Sequence, residues 1–164
     1  MIKTTLCFSL LVVWTSYLEY NSIIWSPSTK KEIDLIEKVQ RRFTKRLRGC
    51  KSLTYEARLV RLGIPSLELR RLHLDLIYCY KLVFGLLRLD TDKFFDFSLV
   101  STTRGHAYKL YKPRCTNALC KNFFTERVVN VWNSLSHNVD FSSLSKFKNC
   151  ITQVDFSHFL RCMV

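Results

Sequence analysis

Glycine and proline are scarce, four and three in 164 residues. So few turn-formers exclude a repetitive all-β chain, and four isolated glycines cannot build a phosphate-cradling loop. Carboxylates are also few, 13 against 26 lysines and arginines. The aspartates are scattered, with Asp90 and Asp92 the closest two. Two-metal polymerase or nuclease chemistry needs carboxylates gathered at one site, so catalysis by this chain is not expected. No apolar run reaches the ~20 residues of a membrane span, and a membrane partner is not expected either. Residues 6–14, after Lys3, have the outline of a short signal peptide without a small-residue cleavage motif. A buried strand or helix, or a spurious start, is expected there rather than a signal.

The seven cysteines are an odd number without a framework, which reads as reduced thiols rather than a disulfide scaffold. Cys115 and Cys120, with His106 or His137, make half a zinc site and lack a second tight pair. No metal or cofactor is expected. The four histidines are far apart, and no glycine-flanked nucleophile accompanies them.

What is abundant is apolar surface and positive charge. Hydrophobic residues make up 48% and aromatics 13% of the chain, enough to bury a core. The net charge is +13. Such a surface concentrates polyanions, nucleic acid first.

The charge has a place. Thr29 followed by Glu32 is a capping-box pattern. Ile33, Ile36, Val39, Phe43 and Leu47 then recur at helical spacing in a stripe about 120° wide. Gly49 stands where a helix ends. Across from the stripe lie Lys30, Lys31, Lys38, Arg41, Arg42, Lys45, Arg46 and Arg48. Asp34 and Glu37 each precede a base by four, Lys38 and Arg41, in the favourable order. From Arg41 to Arg48 there is no acid. Helix-dipole complementarity does not require five bases there; a phosphate chain would use them.

A second helix is expected over 55–62, between Thr54 as cap and Gly63 as stop. A third runs from Leu67 to about Arg88 behind Ser66. Its apolar residues wrap more than half its circumference, with Arg71 and Asp75 four apart on the exposed remainder. Gly85 weakens its last turn or marks close packing. Residues 100–114 favour extended structure. There Arg104, His106, Tyr108, Lys109, Tyr111 and Lys112 interleave bases with rings, a pattern that suits phosphates and unpaired bases. Helices are expected again over 123–135 and from Ser142 or Ser143 to Ile151. The expected fold is mainly α: a small helical domain with a minor β element near residues 100–114. Helix 67–88 is central, and the basic helix docks through its apolar stripe.

Several segments, in order, resemble one family. Leu18-Glu19-Tyr20-Asn21-Ser22-Ile23-Ile24-Trp25-Ser26-Pro27 is similar to the segment after the polymerase core of non-LTR retrotransposon reverse transcriptases of the LINE type, jockey-like members included. Ile36-Glu37-Lys38-Val39-Gln40-Arg41-Arg42-Phe43-Thr44-Lys45-Arg46 resembles the next helix. Tyr55-Glu56-x-Arg58-Leu59 and the segment from Leu62 to Arg71 continue the likeness. So do Thr103-Arg104-Gly105-His106-x-Tyr108-Lys109-Leu110, Arg127-Val128-Val129-Asn130-x-Trp132-Asn133-Ser134-Leu135 and Phe147-Lys148-Asn149.

The resemblance covers residues 17–151. It leaves 1–16 as an unlike apolar stretch and 152–164 as a divergent tail. It implies the thumb-like, C-terminal region of such an enzyme, which helps hold RNA and DNA. The family's Tyr-x-Asp-Asp hairpin has no counterpart here, so no catalytic residue carries over. The expectation is a truncated, non-enzymatic RNA- or DNA-backbone binder, nuclear or cytoplasmic, with no small-molecule substrate. Its contacts would be Lys38, Arg41, Arg42, Lys45, Arg46 and Arg48, and more weakly Arg104 and Lys109. A secreted or membrane-associated basic protein, if residues 1–16 act as a signal, and a non-functional structural fragment stay open.

Overall fold

The computed structural model describes residues 19–98, 105–114, 117 and 120–162. The protein is mainly α-helical. The described helices are α1 (Lys30–Lys45), α2 (Tyr55–Leu62), α3 (Leu67–Val83), α4 (Phe124–Ser134) and α5 (Leu144–Ile151), with short 3-10 turns between and after them. The expected β element is reduced, among the described residues, to one antiparallel bridge between Phe97 and Leu110.

Local chemistry sets most helix ends. Thr29 and Glu32 form the full capping box on α1. The Glu32 carboxylate accepts from the Ser28 and Thr29 amides at 3.0 Å. Thr54 caps α2, and Ser143 caps α5. Gly63 ends α2 at φ +63°. There the Gly63 amide donates to Val60 O and the Ile64 amide to Leu59 O. The same pair of bonds closes α3, Gly85 to Leu82 O and Leu86 to Lys81 O, with Gly85 also at φ +63°. Glycine suits that left-handed position because it has no Cβ. Gly85 is therefore the stop of α3, which ends at Val83 instead of continuing to residue 88.

Helix α1 also ends earlier than its periodicity predicts, at Lys45. Leu47 and Cys50 donate three residues back, to Thr44 O and Leu47 O, so the chain turns instead of continuing α-helical. Gly49, at φ +76°, lies beneath the Arg61 side chain, whose Nη1 donates to Gly49 O at 2.9 Å.

The chain forms two compact units. The described part of the first is 19–22, Ser26–Arg71 and 160–162. The second is Ile23–Trp25 with Leu72–Phe159.

In the first unit the docking face of α1 differs from the expected one. Its buried residues are Ile33, Glu37, Gln40 and Thr44. Ile36 and Phe43 are half-buried, and Val39 is exposed. At 100° per residue the inward face is turned roughly 70° from the centre of the apolar stripe. The cause is the corner before α3. The first amides of a helix have no partner inside it, and the Leu67 amide finds the Glu37 carboxylate at 3.1 and 3.2 Å. Gln40 Nε2 donates to Pro65 O at 3.0 Å. Those directional bonds require the Glu37–Gln40 edge to face inward. Thr44 closes the face by donating to Gln40 O at 2.8 Å. At the chain's far end, the Arg161 and Cys162 amides donate to the Glu68 carboxylate.

The second unit has an aromatic core. Trp132 and Phe147 are fully buried. Tyr80 stacks on Phe147 at 4.7 Å between centroids, and Phe141 meets Phe84, His106, Tyr108, Trp132 and Phe147. Asp75 is not on an exposed side of α3, and Arg71 is buried too. The Asp75 carboxylate accepts from Arg127 Nε and Nη2, both at 2.8 Å. Arg127 also donates to Ile23 O and Asn122 O, so one guanidinium ties three segments of the unit together.

Candidate nucleic-acid interface

With Ile33, Glu37, Gln40 and Thr44 inward, the geometry of a helix puts the cations outward. Lys38, Arg42, Lys45, Arg46 and Arg48 are exposed and Arg41 is half-buried. The first four and Arg41 lie on α1 and its cap; Arg48 lies in the turn that follows.

The three acids of α1 are all engaged. Glu32 holds the capping box. Asp34 bonds Lys38 at 3.2 Å and Arg41 at 2.6 Å. Glu37 does not pair with Arg41 as its spacing implies; it faces inward and accepts from the Tyr55 hydroxyl and the Leu67 amide. Burial pushes the Glu37 carboxyl above its ordinary range, against the Tyr55 and Leu67 bonds, which favour the ionised form. Burial, with the neighbouring Glu37 carboxylate, also pushes the Tyr55 phenol up. The Arg41 guanidinium lies 5.2 Å from the Tyr55 ring centroid and Arg58 lies 5.5 Å from it.

Arg42, Lys45, Arg46 and Arg48 differ from Lys38 and Arg41. Among the described residues, none of them forms an ion pair with a carboxylate. The chain from Arg41 to Tyr55 contains six cations and no acid. The α1–α2 connection is thus a block of one sign, held in place by α1 and by Arg61 on Gly49 O.

The second predicted contact region divides. Arg104 lies outside the described residues. Lys109 is half-buried, and its side chain folds close over Gly105. The neighbouring rings serve the core of the second unit. His106 is buried, with Nε2 2.9 Å from Trp132 O and Nδ1 accepting from the Tyr108 amide at 3.2 Å. That pairing fixes a neutral ring protonated on Nε2, and burial lowers its pKa. Trp132 Nε1 donates to Tyr108 O at 2.6 Å, and Tyr108 packs against Phe84. Asn133 clamps the Leu110 backbone from both sides, at 2.9 and 2.8 Å. Of the interleaved aromatics, Tyr111 is 56% exposed, and Tyr108, although it packs on Phe84, keeps 39% of its surface exposed.

The residues that sequence reasoning missed are Glu37, Tyr55 and Asn133. Glu37 and Gln40 share a helical line with Ile33 and Thr44, which is a signal once that line is tested as a face. Among the described residues no three His, Cys, Asp or Glu side chains gather within reach of one metal ion. Cys115 lies outside the described residues; Cys50, Cys79, Cys120, Cys150 and Cys162 are free thiols. No described helix is long and apolar enough to cross a membrane. No protein-family model, curated protein or solved structure matches this chain.

Proposed function

We propose that this chain binds RNA or DNA without sequence preference, through the outward arc of α1 and the turn after it, and carries no polymerase activity of its own. In this reading it corresponds to the thumb-like region of a LINE-type reverse transcriptase. The observation that carries it is uncompensated charge. Arg42, Lys45, Arg46 and Arg48 stand exposed without a carboxylate partner among the described residues, while the acids of α1 are engaged elsewhere. The ordered motifs across residues 17–151 support the same assignment. A phosphate chain is the partner whose own charge uses such an arc, because each neutralised phosphate releases a condensed counterion.

The test is equilibrium binding of a single-stranded RNA across a range of salt. Four phosphate contacts weaken the complex roughly 50-fold between about 50 and about 200 mM salt. Affinity that does not change with salt overturns the proposal.

A further inference from the structure

The outward side of α1 is not purely charged. Leu35 and Val39, four residues apart, are 53% and 41% exposed. Lys31, Lys38, Arg42 and Arg46 surround them on the same side of the helix and are exposed as well. Residues 31, 35, 38, 39, 42 and 46 follow the helical repeat, so two aliphatic side chains sit within a field of four cations. Neither aliphatic serves the inward face, which is made by Ile33, Glu37, Gln40 and Thr44.

Charge alone ranks the nucleic-acid partners in one order. A duplex carries phosphates at higher density than a single strand and releases more counterions per contact, so a purely cationic face holds duplex at least as tightly. Its bases, however, are sealed inside the stack. In a single strand the apolar base faces can turn outward while the phosphates keep their ion pairs. A surface with aliphatic groups between cations gains contact area only from the second kind of chain.

We infer that the α1 face selects unpaired strands over duplex, with Leu35 and Val39 packing on exposed bases between the phosphate contacts of Arg42 and Arg46, the two cations beside them that have no carboxylate partner among the described residues. This rests on the nucleic-acid reading above and names its substrate class.

The experiment compares a uridine-rich single-stranded RNA with a duplex RNA of equal length, at one salt concentration and across a salt series. The full chain is measured beside L35Q/V39Q. Glutamine keeps helix propensity, and both sites are exposed, so an unchanged melting curve certifies the variant. The expected result is about tenfold tighter binding of the single strand by the wild type, the scale of partly burying two aliphatic side chains. In L35Q/V39Q the preference falls below about twofold while the salt slope holds, because no phosphate contact is lost. Salt-dependent binding with duplex equal to or tighter than single strand overturns this inference and leaves the proposed function standing. So does a preference that survives L35Q/V39Q. Binding to phosphatidylserine vesicles with no affinity for either RNA overturns both.

Discussion

The two units bury different chemistry. Among the described residues the first buries four apolar side chains, Ile33, Cys50, Leu59 and Leu67. Against them it buries seven polar ones, Ser22, Glu37, Gln40, Thr44, Arg58, Ser66 and Arg71. The second buries a large apolar set around Trp132, Phe147, Leu76, Leu82 and Leu135, with Asp75 and His106 as its buried polar residues. The second unit is thus held by packing, which is summed over many weak contacts. The first is held by a few directional bonds, with Glu37 joining α1 to Tyr55 and to the first amide of α3. The difference explains where the charge sits. A helix fastened by polar bonds on one edge leaves its opposite edge free to carry cations without competing for the core.

The largest expected effect tests the packed unit. Trp132→Ala removes a fully buried ring and its bond to Tyr108 O, and should destabilise the second unit by about 3–5 kcal/mol. Chemical denaturation followed by hydrogen exchange of α4 and α5 would read it. A loss below 1 kcal/mol would contradict the aromatic core. The next tests the bonded unit. Glu37→Leu strands the Tyr55 hydroxyl and the Leu67 amide, for a loss of roughly 2–4 kcal/mol. Glu37→Gln keeps an acceptor and should lose much less. Equal losses would mean that the charge, not the hydrogen bonding, holds the junction.

Acid should then separate the units. Burial lowers the pKa of His73 and of His106. The unfolded chain therefore takes up these protons first, and stability of the second unit falls as pH drops below the ordinary histidine value of about 6.5. Glu37 has the opposite sign. Its folded pKa is raised, so its contribution is full below the ordinary glutamate value of about 4.3 and is lost as pH rises through the folded value. Hydrogen exchange resolved by peptide should show protection in α4 falling from pH 7 toward 5 before α1 responds. Parallel loss in both would remove the contrast. The smallest effect is at Asp140, whose bonds from Ser142 and Lys146 hold its carboxyl down to about 2. Its contribution is present above the ordinary aspartate value and lost as pH falls toward the folded one. D140N should remove a small acid-side slope from the melting curve.

Local signals in the sequence marked the starts of α1, α2 and α5 and the end of α2, but not the ends of α1 and α3, which stop at Lys45 and Val83. Thr54 and Gly63 bound α2 as expected, and the Thr29–Glu32 box starts α1. Helix period marked α4 and α5 because their apolar residues do face the core. The same period misled on α1. Periodicity records residue type, and the inward face of α1 was decided by partners 25 and 30 residues away at the Pro65–Leu67 corner. The Asp75–Arg127 pair and the Asn133 clamp on Leu110 are likewise long-range bonds with no local trace. The cations of α1 were legible as a charged face; that Asp34 engages Lys38 and Arg41 while Arg42, Lys45, Arg46 and Arg48 stay unpaired required geometry.

The most direct measurement is the salt dependence of single-stranded RNA affinity in the wild type and in R42Q/K45Q/R46Q/R48Q. The unpaired arc predicts a logarithmic slope shallower by about 3 in the variant, with the melting temperature unchanged because none of the four side chains holds the fold. An identical slope in a folded variant would contradict the account, since the phosphates would then be meeting some other surface.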